Sequence, residues 1–144
     1  MLRQVTQDQI HTLAATLHLG QTDKGGKPYI DHPVRVAARC SDPQAKLVAL
    51  LHDVIEDTTA TAEYLLRQGV PGEVVEVVEV LTRRSGESYD DYIHRVARHP
   101  LAKVVKLADL EDNMDIRRLP TLTDADLRRL QKYHRAWRYL NEKK

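Results

Sequence analysis

The sequence has no phenylalanine and only one cysteine, Cys40. A single thiol excludes a disulfide framework and points to a reducing compartment. Set among apolar residues without a nearby histidine, Cys40 reads as buried filler rather than a nucleophile. Neither sign of charge is in excess: 22 Lys and Arg stand against 21 Asp and Glu, a net charge of +1. That balance implies no general affinity for nucleic acid or for a membrane surface. No apolar run reaches membrane-spanning length, and the polar first ten residues exclude a secretory signal, so a cytoplasmic location is expected. Strand alternation, internal repeats and low-complexity segments are missing as well.

What is present is helical. The 144 residues can bury one substantial core, and apolar residues recur at three and four. Thr6-Gln7-Asp8-Gln9 reads as a capping box; the helix behind it turns Ile10, Leu13 and Leu17 inward and Gly20 closes it. Gln21 to Ile30 is a loop rich in Gly and Lys. Further helices are predicted after Pro33, from about Pro43 to Ile55, from Thr61 to Gln68 and from Pro71 to Thr82. Ser88 caps Tyr89 to Arg98, Pro100 restarts a helix running through Leu107, and the last spans Asp124 to Asn141. Short connections predict a compact all-α bundle, one domain over residues 1–144.

One stretch carries unusual chemistry. Ala49-Leu50-Leu51-His52-Asp53-Val54-Ile55-Glu56-Asp57-Thr58 begins as a core helix and ends in four ionisable groups. On a continuous helix His52 shares a face with Glu56, and Asp53 with Asp57. Three carboxylates so close repel one another unless a cation holds them. The bland alternative is a solvated acidic helix end, an arrangement that opposes the helix dipole. Two other places supply partners. His32 stands where a loop enters a helix at Pro33, and Asp109 ends the buried-looking run Val104 to Ala108. His32, His52, Asp53 and Asp109 together offer two imidazoles and two carboxylates, a set suited to a hard or borderline divalent ion. The lack of cysteine ligands argues against a structural zinc.

The order His32…His52-Asp53…Asp109 resembles the HD-domain metal-dependent phosphohydrolases. The fuller strings Gly26-Lys27-Pro28-Tyr29-Ile30-Asp31-His32-Pro33, His52-Asp53-Val54-Ile55-Glu56-Asp57-Thr58 and Lys106-Leu107-Ala108-Asp109…Asn113-Met114 are similar to the hydrolase domain of RelA/SpoT proteins. With no synthetase half, the chain is most similar to the stand-alone small alarmone hydrolases. The likeness runs from about Leu13 to Leu140. It implies hydrolysis of the 3′-pyrophosphate of guanosine tetra- or pentaphosphate, with one manganese ion on His32, His52, Asp53 and Asp109. It also implies Glu56 and Asp57 as a catalytic acidic pair, and Lys24, Asn113 and Tyr133 as substrate contacts. Tyr133 reads equally well as a helix aromatic packing beside Trp137 and Leu130.

The chain departs from the family at Asp23, where many relatives carry an arginine against the guanine, and at Leu110 and Glu111. That leaves three readings: an alarmone pyrophosphohydrolase, a phosphohydrolase of another nucleotide (such as the 2′-phosphatase of NADPH that metazoan relatives suggest), and a non-catalytic nucleotide sensor. The Glu56-Asp57 pair argues against the sensor. The expected partner is a small nucleotide, and the oligomeric state is left open.

Overall fold

The structure is a computed structural model describing residues 5–142. The ends of the expected 1–144 span, residues 1–4 and 143–144, lie outside the described residues. In chain order the helices are α1 (Gln7–Leu17), α2 (Asp31–Arg39), α3 (Pro43–Leu51), α4 (Val54–Asp57), α5 (Ala62–Arg67), α6 (Gly72–Val80), α7 (Tyr89–Ala97), α8 (Pro100–Asn113) and α9 (Asp124–Glu142). A 3-10 turn at Ile116–Arg118 links the last two. Among the described residues the only extended pairing is one bridge, Thr22 with Pro28. The all-α expectation is met.

The helix starts follow local chemistry. Thr6 and Gln9 form the capping box, each side chain accepting the other's backbone N–H. Asp42 accepts from Gln44 and Ala45 ahead of Pro43, and Ser88 accepts from Asp91. Each such cap satisfies N–H groups that no helix can pair internally.

Helix α3 lies at the centre, packed on α1, α2, α6 and α8. Ala45, Val48, Ala49, Leu50 and Leu51 are all buried, so this helix is apolar on nearly every side and needs neighbours all round. They bring Ile10, Val36, Val78 and Leu110 into one core, completed by Leu65 and Leu140. Leu51 is fully buried; truncation to alanine should cost about 2–5 kcal/mol. Among the described residues no helix is long and apolar enough to cross a membrane.

One boundary differs from expectation. The helix predicted from Pro43 to Ile55 is two helices, broken at His52 and Asp53. The His52 ring donates through Nδ1 to the Ala49 carbonyl at 2.6 Å. A continuing helix would offer that carbonyl to the Asp53 amide. The imidazole takes it instead, the backbone tightens, and Asp53 becomes the N-cap of the short α4. Glu56 and Asp57 therefore do not extend the face of α3, and both are exposed.

Candidate metal centre and its cleft

Three buried side chains from three helices meet beside α3. His32 sits in the first turn of α2, His52 caps α3, and Asp109 lies on α8. One ligand atom from each falls within 4.8 Å of the other two. Asp109 Oδ1 is 2.8 Å from His32 Nε2 and 3.2 Å from His52 Nε2. Asp53 is brought in as well: its Oδ2 is 3.0 Å from His52 Nε2 and 3.9 Å from His32 Nε2. All four residues singled out as ligands thus converge, with His32, His52 and Asp109 the tighter group.

The surroundings fix how these groups point. A carbonyl can only accept, so the Ala49 contact places a proton on His52 Nδ1 and turns Nε2 toward the carboxylates. Asp112, fully buried, holds His32 from behind, its Oδ2 2.6 Å from Nδ1. Arg35 Nε donates to the other Asp112 oxygen at 2.9 Å. Lys106 donates to Asp109 Oδ2 at 2.8 Å, and Asn113 donates to Oδ1 at 3.1 Å. The Tyr29 hydroxyl donates to Asp53 Oδ2. These outer contacts are the kind that orient metal ligands and set their basicity.

Charge is tightly balanced. Burial alone would lower both imidazole pKa values, but carboxylates outweigh it: Asp109 and Asp112 at His32, Asp53 and Asp109 at His52, which is raised well above its usual range. Burial would likewise raise Asp109, yet Lys106 and then His52 hold it well below the usual carboxylate range. Burial and the adjacent Asp53 keep the Tyr29 phenol protonated. Two imidazole nitrogens and convergent carboxylate oxygens, already ordered by outer partners, form a donor set that fits a divalent ion.

The acidic pair follows on the short α4. Asp57 is exposed, and desolvation together with Asp53 and Glu56 raises its carboxyl to about 6. Its backbone carbonyl is held by Gln21 Nε2 at 2.9 Å. Glu56 accepts the Arg83 amide through Oε1 at 2.8 Å. The continuous helix expected to put His52 on one face with Glu56, and Asp53 with Asp57, is therefore corrected: the helix breaks at His52, which is buried, with Asp53 half-buried and the acidic pair exposed.

A cleft of about 330 Å³ opens next to His32. Lys24, Asn113 and Tyr133, the expected substrate residues, all line it, as do Arg35 and Arg118. Asp23 lines it too, but its Oδ1 turns back to accept from the Gly25 and Lys27 amides, each at 2.9 Å. Asp112, Lys106, Tyr29 and Gln21 were not singled out from sequence. For Asp112 a signal existed, since it lies three residues after Asp109 on one helix. The roles of Tyr29 and Gln21 depend on loop geometry that periodicity does not encode.

Residues 11–91 match the HD domain. A guanosine-3′,5′-bis(diphosphate) 3′-pyrophosphohydrolase of Haemophilus influenzae is 37% identical over 83% of this chain and 20% of its own length. The bifunctional (p)ppGpp synthase/hydrolase SpoT of Escherichia coli is 36% identical over 74% of this chain and 17% of its own. The chain thus spans about a fifth of the length of these relatives. A solved structure described as a metazoan ortholog of SpoT that hydrolyses ppGpp superposes with a TM-score of 0.79 at 25% identity, covering 99% of this chain and 89% of the other. The HD-domain match, over more than half of the chain, spans His32, His52, Glu56 and Asp57, and the helices are arranged as in that structure: the chain belongs to the HD-domain family.

Proposed function

We propose that this chain hydrolyses the 3′-pyrophosphate of guanosine tetra- and pentaphosphate, releasing pyrophosphate and GDP or GTP. The observation that carries the reading is the convergence of His32, His52 and Asp109 within 4.8 Å at the end of a cleft lined by Lys24, Asn113 and Tyr133. Support comes also from the Haemophilus influenzae relative, a guanosine-3′,5′-bis(diphosphate) 3′-pyrophosphohydrolase, and from the similar metazoan protein that hydrolyses ppGpp.

HD domains use a divalent metal, and His32, His52, Asp53 and Asp109 would hold it here, manganese being the ion proposed. Bound there, the ion supplies Lewis acidity that polarises phosphoryl oxygens and acidifies water. The chain's own residues do the rest. Asp57, with a carboxyl near 6, is ionised at neutral pH yet basic enough to take a proton from an attacking water. Glu56, steadied by the Arg83 amide, positions that water. Lys24 meets phosphate charge, Asn113 the sugar, and Tyr133 closes the cleft over the nucleoside.

Purified protein loaded with manganese, magnesium or zinc and incubated with guanosine tetraphosphate, guanosine pentaphosphate and NADPH tests this directly. Pyrophosphate with GDP or GTP is the expected product. Inorganic phosphate from NADPH alone would replace the reading with that of a nucleotide 2′-phosphatase.

A further inference from the structure

The cleft holds a guanidinium whose surroundings suit one task. Arg118, on the 3-10 turn after α8, has both terminal nitrogens engaged. Nη2 donates to the Asp112 carbonyl at 2.9 Å and lies 3.4 Å from Asp112 Oδ2; Nη1 lies 3.4 Å from Asp115 Oδ2. The side chain is still about a third exposed, 32%, and lines the cleft. A guanidinium pinned along its edge keeps its flat face for a neighbour, and that face stacks on aromatic planes. Its charge is met by Asp112 and Asp115, so it draws phosphate less strongly than a free cation would.

The rest of the wall agrees. Ile116, Leu119 and Leu130 bring apolar surface, and Tyr133 a ring, to the same cleft. Apolar and aromatic walls with a few fixed polar groups are the usual lining for a planar heterocycle. The loop opposite is pressed close: a Cβ on Gly25 would come within 2.9 Å of the Arg118 carbonyl, so only glycine lets that loop sit against the 3-10 turn. On that loop Asp23 Oδ1 is occupied by the Gly25 and Lys27 amides of its own turn.

We propose that Arg118 is a specificity-determining residue that stacks its guanidinium, fixed by Asp112 and Asp115, on the base of a purine nucleotide. The proposal rests on the nucleotide reading above, and adds which side chain selects the base.

Calorimetric binding of GDP and of ribose 5-phosphate, which lacks a base, to the metal-loaded protein tests it without any turnover. Wild type should bind GDP at least tenfold more tightly, part of that from the second phosphate. In Arg118→Gln the preference should fall by threefold or more. Arg118→Lys keeps the charge and can still reach the carboxylates but has no plane, so it should lose the preference too. If the glutamine variant fails to fold, the lysine variant decides. A preference unchanged in the folded variants, restored by lysine, or missing from wild type overturns the proposal. Failure of the hydrolysis reading looks different: the base preference and its dependence on Arg118 persist while no nucleotide is cleaved.

Discussion

Asp112 and His32 form a buried pair, with the carboxylate oxygen 2.6 Å from Nδ1 and neither side chain open to solvent. The pair links two helices 80 residues apart in sequence. Since Arg35 and Arg118 hold the same carboxylate, it is fixed before His32 meets it. Asp112→Asn keeps the shape but removes the charge that strengthens His32 as a donor. Metal affinity should fall about 10- to 100-fold, the usual scale for such outer partners. Titration of the variant with manganese checks this, and an unchanged affinity would remove Asp112 from the metal centre.

His52→Ala and Asp109→Ala should each abolish binding of the divalent ion. Asp109 is the hub of the cluster, touching both imidazoles, Lys106 and Asn113, so its loss should also lower the melting temperature. Added metal should raise the melting temperature of wild type only, because an ion that binds the folded state alone stabilises it by mass action. Elemental analysis and thermal melts with and without metal provide the readouts.

The raised pKa values of His32 and His52 bear on pH. Protons on these rings must leave before a cation can take the nitrogens, so binding releases protons and weakens as pH falls. Calorimetry in two buffers of different ionisation enthalpy should detect net proton release near neutral pH. Proton uptake would contradict the assigned ligands.

Asp57→Asn should keep the metal and lower turnover about 10²- to 10⁴-fold. Glu56→Gln should behave similarly. A base with a carboxyl near 6 works only when ionised, so wild-type kcat should rise as pH increases through about 6. That limb should be missing from the residual activity of Asp57→Asn. A variant that retains both the limb and the rate would show that another group accepts the proton.

Asp23 closes its own turn, which changes what substitution there should do. Asp23→Asn keeps an acceptor for the Gly25 and Lys27 amides and should be nearly neutral. Asp23→Arg loses both contacts and should speed hydrogen exchange in residues 23–27, with any gain in nucleotide affinity offset by loop disorder. Exchange mass spectrometry of the two variants separates these outcomes; equal protection would mean the turn stands without the carboxylate.

Most of the helices and the identity of the converging residues were legible in the sequence. Caps such as Thr6 and Ser88 act within a few residues, and the apolar period that buries Val48 and Leu51 is local as well, so both can be read along the chain. His32, His52, Asp53 and Asp109 stood out because two imidazoles and two carboxylates next to buried runs are costly without a purpose. What the tertiary structure alone decided is orientation. The His52 ring takes the Ala49 carbonyl with Nδ1 while Nε2 faces Asp109 from α8 and its own neighbour Asp53, beside the His32 ring from α2; the helix breaks there, and Glu56 and Asp57 are exposed. Asp112 behind His32 depends on contact between distant segments, and Arg118 along the cleft on how the chain turns after α8; Lys106 against Asp109 is a local pair three residues apart on one helix. Periodicity reports which face of a helix is buried; what that face meets is settled by packing.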